Sequence, residues 1–442
     1  MEHQLHFVEN YVVPKIISEN DEVKDLVFLR VNMSRSSAID GFMGNIIFAS
    51  LEFEAKDGKK VELNIVVKLM KPPSAMRTAI DADYQFVNEV FFYKNVLPTM
   101  ISKLQPKIQK IEKNVWCPRV YLTEVGVFPS LSDATETVLV MEDLSKKGFC
   151  LGSRIHLTTD ELYLMTKAIA QLHACTYALR INKDPDLDEL IKGIVPFKFR
   201  RNEGPSTYDR MYTTGLERIF TYLANNPDEI HNETFASNVN LLKAKYGDNP
   251  IKLMDGFLKS DNPFSVILHG DYNRNNVLFK YSDTKAVVDL RFIDFQELKY
   301  GSPAIDLSFF MYMNTHPSLF DDGLNEKLIY FYHSHLIESL CELLDCQQED
   351  ARLSAYCWTN FYEHYKRFAL YGAMVSVIFI PWMVCAEDEC AKIAAAFEKD
   401  MFSEELKQLL LTCGGKEVDQ RIIAVLRNAS ELGFMDVLKE DL

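Results

Sequence analysis

Two short polar segments of the chain contain the residue types and the spacing that phosphoryl transfer from ATP requires. Asp271 lies in the sequence HGDYNRNN (residues 269–276), Asn276 ends that segment, and Asp294 follows eighteen residues later in IDFQ (residues 293–296). In such a transfer one carboxylate accepts the proton of the attacking hydroxyl group, while an amide oxygen and a second carboxylate hold the magnesium ions that bridge the phosphates. The order aspartate, asparagine, aspartate therefore predicts a site for Mg²⁺ and nucleotide phosphates.

Short apolar runs surround both segments and predict the strands that position them. Residues 264–268 precede the first segment, residues 277–280 follow it, and residues 286–293 lead directly to Asp294. Runs of this length and composition are typical of buried strands. We therefore expect the acidic groups at the ends of strands, where the fold can hold them in fixed positions.

A lysine and a glutamate upstream complete the set of residues that an ATP-dependent kinase needs. Lys68 follows the apolar run IVV (residues 65–67), and Glu89 comes 21 residues later in the helix-forming segment FVNEVFFY (residues 86–93). Kinases use a strand lysine to bind the α- and β-phosphates, and a glutamate of the following helix holds that lysine in place. We predict that Lys68 and Glu89 form this pair.

Five further positions are predicted to bind the nucleotide from their place in the chain. Gly41, Gly44 and Asn45 precede Lys68, where a loop that covers the phosphates is expected, although the sequence GFMGN does not match GxGxxG. Glu142 and Leu144 follow a predicted strand, at the connector whose main chain faces the adenine edge in a two-lobed kinase.

The spacing after Asp294 favours a small-molecule acceptor. Asp306 comes only twelve residues after Asp294, in the sequence AIDL (residues 304–307), and an apolar, helix-like stretch follows directly. Protein kinases have a long activation segment here, which serves as the platform for a peptide. We therefore expect a small hydroxyl compound as substrate. Asp306 and His269 are assigned supporting roles, because we expect both to hydrogen-bond to the backbone of the loop.

Composition and charge restrict the classes of partner and the cellular compartment that we expect for this protein. With 442 residues, 48% of them hydrophobic, the chain can bury a large core, and two domains are favoured over one. A net charge of -15 disfavours nucleic acid and anionic membranes as main partners, and no protein partner is evident. No secretory signal or membrane span is predicted, and no pair of the nine cysteines has CxxC spacing. We expect a cytoplasmic protein with reduced thiols.

Strand patterns dominate residues 1–142, which we assign to a small N-lobe that anchors ATP. A hairpin is predicted from residues 44–54 and 61–70, and a helix from residues 81–97, which Pro98 is expected to end. Further strands are predicted at 119–124 and 137–141.

Helical periodicity dominates residues 143–442, which we assign to a C-lobe that carries the catalytic and metal loops and the acceptor pocket. A capping box from Thr158 to Glu161 predicts the start of a long helix. Residues 183–208, rich in Pro, Asp and Lys, predict a surface excursion. The expected class is α+β, with a small β-rich part and a larger helical part.

Together these motifs resemble those of the ecdysteroid kinase-like (CHK kinase-like) family, which is part of the choline kinase and aminoglycoside phosphotransferase superfamily. The resemblance covers nearly the whole chain and implies a protein-kinase-like, two-lobed fold. The motifs that carry it are Val67-Lys68, residues 86–93 with Glu89, Glu142-Asp143-Leu144, Leu172-His173-Ala174, residues 269–276, Asp294-Phe295-Gln296 and Ala304-Ile305-Asp306-Leu307.

The resemblance also implies a role for each matching residue. Asp271 corresponds to the catalytic base, Asn276 and Asp294 to ligands of Mg²⁺, and Lys68 with Glu89 to the pair that anchors the phosphates of ATP. The best-known activity of the family is phosphorylation of a steroid hydroxyl group. An ecdysteroid or a related lipophilic alcohol is therefore the expected acceptor.

One departure from the family pattern bears on the substrate. Many relatives have an aromatic-rich sequence such as Asp-Leu-Trp after the glycine, whereas this chain has DYNR (residues 271–274), so residues 272–275 are expected to influence acceptor choice. Tyr272, Trp358, Tyr362 and Tyr365 are proposed as walls of a pocket for a bulky apolar acceptor.

Several alternatives stay open from the sequence. One is a catalytically idle protein that keeps the kinase fold and binds a lipophilic ligand or a partner. Another is a choline- or ethanolamine-type kinase, in which an aromatic cage would hold the cation. The use of ATP or GTP, the oligomeric state, and a role in hormone inactivation or in detoxification also stay open.

Overall fold

The fold is taken from a computed structural model, in which the described residues are 2–35, 44–71, 77–78, 82–104, 107, 116–200, 206–260 and 263–440. Gly41 of the predicted phosphate-covering loop lies outside these residues, whereas Gly44 and Asn45 lie within them.

Ten strands are defined in the described part of the chain. They are β1 (Val27–Arg35), β2 (Gly44–Glu54), β3 (Lys60–Met70), β4 (Val120–Val127), β5 (Thr135–Glu142), β6 (Phe149–Leu151), β7 (Val266–Leu268), β8 (Val277–Tyr281), β9 (Val287–Phe292) and β10 (Lys299–Gly301). The first five form an antiparallel sheet of order β1-β2-β3-β5-β4, β7 pairs with β10, and β6, β8 and β9 form a third sheet of order β6-β8-β9. The predicted hairpin of β2 and β3 is confirmed.

The helices that follow are named in chain order. They are α1 (Glu2–Phe7), α2 (Val13–Glu19), α3 (Ala82–Phe91), α4 (Leu97–Leu104), α5 (Thr159–Ile181), α6 (Asp186–Gly193), α7 (Thr207–Asn225), α8 (Glu233–Tyr246), α9 (Pro250–Phe257), α10 (Ala304–Asn314), α11 (Leu324–Leu344), α12 (Trp358–Phe368), α13 (Leu370–Val384), α14 (Glu387–Lys399), α15 (Glu404–Thr412) and α16 (Gly415–Glu431). An antiparallel sheet near the N-terminus and a mainly helical remainder confirm the predicted α+β class.

The chain divides into two compact units. The first contains Met1–Lys103, Glu112–Cys150 and Leu278–Glu297, and the second contains Leu104–Ile111, Leu151–Val277 and Leu298–Leu442. This division differs from the single break predicted after residue 142, because residues 278–297 group with the first unit. The Phe292 N–H donates to the Trp116 carbonyl at 2.6 Å within that unit, which is one of the bonds that attach the segment there.

The two faces of the five-stranded sheet have different surroundings. Ile47 and Leu51 of β2 and Ile65 and Val67 of β3 are buried in a core that includes the apolar side chains of α1 and α2. Side chains alternate between the faces of a strand, and the β2–β3 register is regular from end to end. Lys68 therefore lies on the face opposite this core.

The predicted capping box is confirmed at the start of α5. The Thr158 hydroxyl accepts a hydrogen bond from the Glu161 N–H at 3.3 Å, and the Glu161 carboxylate accepts one from the Thr158 N–H at 2.7 Å. These bonds satisfy donors that the first turn of a helix otherwise leaves unpaired. α5 packs against α11, and α10 packs against α13.

Two local predictions were wrong. Pro98 does not end the helix, because the wider turn at Phe92–Val96 changes the helical pitch just before it and so accommodates a residue that lacks an N–H donor. Residues 183–208 are not only an excursion, since α6 forms there with Leu187 and Leu190 buried one turn apart.

Within the described residues, no single helix has the length and apolarity to cross a bilayer. One bent pair, Ala351–Phe368 with Leu370–Val384, passes that test on length and composition alone.

Candidate active site

A buried cation held by two carboxylates lies on β3 in the first unit. Lys68 Nζ is 2.7 Å from Glu89 Oε2 on α3 and 2.9 Å from Asp294 Oδ1, which follows β9. The Lys68 and Glu89 side chains are almost fully buried, whereas the Asp294 side chain is 26% exposed. We call these three residues the Lys68 cluster. Three residues predicted from separate motifs are thus brought together.

The charges of the Lys68 cluster are strongly coupled. Burial alone would lower the pKa of the Lys68 ammonium, but attraction to Asp294 and Glu89 outweighs burial and raises that pKa above its usual value. Burial raises the pKa of the Glu89 carboxyl to about 7; the charge of Asp294 adds to the rise, and Lys68 opposes it. Lys68 therefore stays protonated, as a group that binds phosphate must.

The backbone and the residue after it fix the position of Asp294. Asp294 has φ +67, a left-handed conformation that is uncommon outside glycine and that is often found at functional sites. The ring of Phe295 stacks on Phe92 with a centroid distance of 3.4 Å, and it meets Tyr93 edge-on at 5.8 Å. Since Phe92 directly follows the helix that carries Glu89, this packing connects Asp294 to α3.

The loop between β7 and β8 holds Asp271 in the second unit. Asn273 Nδ2 donates to Asp271 Oδ1 at 2.8 Å, and Asn276 Nδ2 donates to Asp271 Oδ2 at 2.8 Å. Asn276 Nδ2 also donates to the Asp271 carbonyl at 2.8 Å. Each carboxylate oxygen of Asp271 thus has a fixed donor. Asn273, for which the sequence predicted only an influence on acceptor choice, is one of the two residues that orient it.

Asp306 on α10 binds the start of this loop. Its carboxylate accepts from the His269 N–H and from the Gly270 N–H, each at 2.8 Å, and it lies 3.2 Å from His173 Nε2. Burial alone would raise the pKa of Asp306, but the hydrogen bond and charge of His173, together with the backbone donors, lower it below the usual value. Gly270 has φ +85, which glycine adopts without steric cost. His269 contributes its backbone, and its ring packs against Tyr272 at 5.6 Å.

The side chains predicted to bind Mg²⁺ have suitable chemistry. Because both donor contacts of Asn276 Nδ2 go to Asp271, the amide oxygen of Asn276 faces away from that carboxylate. Asp294 supplies a partly exposed carboxylate. Within the described ranges, no three or more His, Cys, Asp or Glu side chains group as a metal site. Mg²⁺ is usually bound through one or two carboxylates plus substrate phosphates, so the chemistry of each of these two side chains suits the ion.

A cavity of about 320 Å³ in the first unit was not predicted from the sequence. Its walls include Phe48, Ser50 and Asn64, which lie on the same face of β2 and β3 as Lys68, together with Asp143 and Ser145 after β5. The Asp143 N–H donates to the Asn64 carbonyl at 3.0 Å, and the Asp143 carboxylate accepts from the Ser145 N–H at 3.0 Å. The first bond attaches the segment after β5 to β3, and the second lies within that segment. Alternation along β3 was the signal that could have identified Asn64.

The remaining nucleotide positions differ in what they offer. The Glu142 N–H donates to the Arg119 carbonyl at 2.8 Å and is therefore not available to a base, and Leu144 is buried. Asn45 Nδ2 donates to Gln4 Oε1 at 2.8 Å, which engages that side chain with α1. A Cβ at Gly44 would come within 2.8 Å of the Phe86 ring, so Gly44 allows close packing of β2 on α3.

The four aromatic residues proposed as pocket walls are not brought together as one surface. Tyr272 and Tyr365 are fully buried in the second unit, and the Tyr272 hydroxyl donates to the Met165 carbonyl at 2.9 Å. Trp358 stacks on Tyr362 at 5.0 Å, and both are half-buried. Tyr272 and Tyr365 are core residues here, because the Tyr272 ring packs edge-on against Phe310 at 5.3 Å and the Tyr365 ring against Phe434 at 5.5 Å.

Comparison with known proteins gives one extended match. The model of the Ecdysteroid kinase-like family matches residues 38–345, which is more than half of the chain. No curated protein sequence matches the chain.

Solved structures that are similar to the chain at low identity include an ethanolamine kinase and an aminoglycoside phosphotransferase. One is an ethanolamine kinase of Plasmodium vivax, at 12% identity and a TM-score of 0.39, with 93% of each chain covered. The other is an aminoglycoside phosphotransferase from Alicyclobacillus acidocaldarius, at 13% identity and a TM-score of 0.35, with 90% of this chain and 92% of that chain covered.

Proposed function

The chain belongs to the ecdysteroid kinase-like family of small-molecule kinases, and we propose that it transfers the terminal phosphoryl group of ATP to a hydroxyl group of an ecdysteroid or a related lipophilic alcohol. The observation that carries this proposal is the Lys68 cluster, together with its place on the sheet face that also lines the cavity.

The first unit supplies what a nucleotide donor needs. A volume of about 320 Å³ is at the lower end of the range of small-ligand pockets, roughly 300–1,000 Å³, and suits a base with part of its ribose. Lys68 stays charged beside two carboxylates, so its ammonium can bind phosphate oxygens while Glu89 keeps it in position. The nucleotide base would lie between β2, β3 and the segment that begins at Asp143.

The second unit supplies the carboxylate that accepts the proton of the acceptor hydroxyl group. Asp271, with one oxygen bonded to Asn273 and the other to Asn276, is held in one orientation, in which it can accept the proton of an acceptor hydroxyl. Mg²⁺ bound by Asn276 and Asp294 would neutralise charge on the phosphates. Asp306 keeps the start of the loop in place through its two backbone bonds.

The test is ADP release from Mg-ATP, and separately from Mg-GTP, against a panel of steroid, choline-like and xenobiotic alcohols. We expect Asp271→Asn to lower kcat on the order of 10²- to 10⁴-fold with nucleotide affinity unchanged, since it removes only the proton acceptor. We expect Lys68→Met to weaken ATP binding. Lys392→Met, at an exposed ion pair with Asp388, is the matched control and should behave like the wild type.

Three results would contradict the proposal. Turnover that survives Asp271→Asn unchanged would remove the proposed base. Nucleotide binding without acceptor-dependent ADP release across the whole panel would favour the idle binding protein instead. Turnover confined to quaternary ammonium alcohols would favour a choline-type kinase.

A further inference from the structure

Three arginines gather next to the catalytic loop in the second unit. Arg274 follows Asp271 by three residues and is 7% exposed; Arg421 on α16 is 5% exposed. Arg154 precedes α5, and its side chain is 37% exposed. We call these residues the arginine cluster.

Backbone contacts bring the elements that carry these arginines together. Arg421 donates to the Ile155 carbonyl at 3.2 Å and to the Met313 carbonyl at 2.7 Å, which joins α16 to the segment before α5 and to the end of α10. The Arg274 N–H donates to Asn314 Oδ1 at 3.3 Å, also at the end of α10. The catalytic loop, the segment before α5, α10 and α16 thus meet at one place.

Four buried polar atoms at this place lack protein partners among the described residues. Within the part of the chain that the structure describes, Nε of Arg274, Nε of Arg421, Nδ1 of His156 and Oγ1 of Thr315 are buried without a hydrogen-bond partner. The His156 ring meets His316 edge-on at 4.4 Å. Buried polar groups in native proteins are nearly always satisfied, so an oxyanion that enters this region would gain hydrogen bonds from donors that have no protein partner.

Charge at the arginine cluster is not balanced either. Burial, with the charge of Arg274, lowers the pKa of Arg421 to about 10, against the attraction of Glu417. Glu417 is exposed, and Glu387, 3.9 Å from Arg154, is 89% exposed. Among the described residues, no carboxylate pairs with the Arg274 side chain. A buried arginine without an anion is costly, which an incoming anion would relieve.

We propose that the arginine cluster binds an acidic group on the acceptor molecule, the same molecule whose hydroxyl proton Asp271 accepts. The acidic group is a carboxylate, or a sulfate or phosphate monoester. This inference rests on the proposed kinase function and adds the class of acceptor. Planar guanidinium groups match such oxyanions with paired hydrogen bonds. Because a chain extends at most about 3.3–3.6 Å per residue, the Cα atoms of Asp271 and Arg274 are within about 11 Å of each other, so one small molecule can contact both.

The same charges oppose a cationic acceptor. A quaternary ammonium group placed against Arg274 would meet like charge in a desolvated region, where repulsion is strong. The acceptor class is therefore an anionic alcohol and not a choline-like one.

Matched pairs of ligands test the inference on the wild-type protein. The pairs are a steroid hydroxy acid with its methyl ester, and a steroid diol monosulfate with the free diol, titrated by calorimetry without nucleotide. We expect the acidic member to bind on the order of 10- to 100-fold more tightly, the range of charge-assisted hydrogen bonds. A preference confined to one pair would identify the oxyanion. Equal binding within both pairs would overturn the inference.

Variants locate the effect at Arg274. Arg274→Met should abolish the preference for the acid and leave binding of the ester unchanged, and Arg274→Lys should keep part of it. Arg352→Gln, which removes an exposed arginine paired with Asp350, is the control and should behave like the wild type. Because Arg274→Met removes an unbalanced buried charge, its thermal midpoint should be unchanged or higher. A midpoint several degrees lower would indicate that Arg274 stabilises the fold itself and would count against a ligand site.

ADP release separates failure of this inference from failure of the proposed function. Equal kcat/KM for acid and ester would leave the kinase intact and refute the acidic acceptor. Tight, Arg274-dependent binding of the acid without any ADP release would refute the kinase and leave the anion site in place.

Discussion

Replacing Asp306 by asparagine should destabilise the loop between β7 and β8, because Asp306 accepts hydrogen bonds that no neutral isostere can replace. Its side chain is fully buried and accepts from the His269 and Gly270 N–H groups, and it faces His173 Nε2. An amide of the same shape has one acceptor oxygen, so its NH₂ group would point at one of these donors. At least one buried N–H group would then lose its partner.

The expected cost follows from these contacts. An unsatisfied buried donor costs about 1–3 kcal/mol, and each hydrogen bond to a charged group contributes about 1.5–3 kcal/mol. We therefore expect the free energy of unfolding of Asp306→Asn to fall by about 3–5 kcal/mol. Since the pKa of Asp306 is lowered in the folded state, its stabilisation is present above the unfolded value near 3.8 and is lost as the pH falls through the folded pKa. The difference between wild type and variant should be constant above about pH 5 and shrink in stronger acid.

Urea unfolding followed by tryptophan fluorescence measures the stability, and ADP release measures the effect on the loop. A shift of the loop by about 1 Å can cost on the order of 100-fold in rate, so kcat should fall by roughly 10- to 100-fold in protein that is still folded. Asp436→Asn, at an exposed ion pair with Lys439, is the control and should change stability by less than about 0.5 kcal/mol. A loss below about 1 kcal/mol with normal kcat would refute the role of Asp306 in holding the loop.

Three further changes test other parts of the structure. The first is Glu89→Gln, studied by urea unfolding without metal. Because the pKa of Glu89 is raised in the folded state, the stability of the wild type should fall by about 3 kcal/mol relative to the variant between pH 4.5 and 7. A difference that does not change with pH would refute the raised pKa. Phe295→Ala should cost about 3–5 kcal/mol in unfolding free energy by removing the stack on Phe92, and a cost below about 1 kcal/mol would show that the stack is not maintained in solution. Thr158→Ala should cost about 1 kcal/mol by removing the cap of α5, with no effect expected on the KM for ATP.

Local patterns predicted those parts of the fold that neighbouring residues decide. The alternation in β2 and β3 predicted a hairpin, and the capping box at Thr158 predicted where α5 begins. Both depend on hydrogen bonds and side-chain directions within a few residues. The prediction that Pro98 ends the helix was wrong. The wider turn at Phe92–Val96 accommodates this proline, and that turn depends on packing over more than one turn of the helix.

The aromatic residues show where local patterns were insufficient. Tyr272 follows Asp271 directly and was proposed for the acceptor pocket, yet its ring is buried and its hydroxyl donates to Met165, 107 residues away. The direction of a single side chain in a loop depends on which distant elements pack around it. The cavity beside Asn64 could not be derived from the sequence for the same reason.

The sequence by itself determined which chemical groups this protein has and their order along the chain: a strand lysine, a helical glutamate, and the aspartate, asparagine and aspartate of two loops. Only the tertiary structure decided which of them meet. Lys68 and Asp294 are 226 residues apart and form an ion pair, and Arg421 reaches the Ile155 carbonyl across 266 residues to complete the arginine cluster. Contacts over such separations depend on how whole strands and helices pack, because burial of apolar surface, and not local backbone preference, selects them.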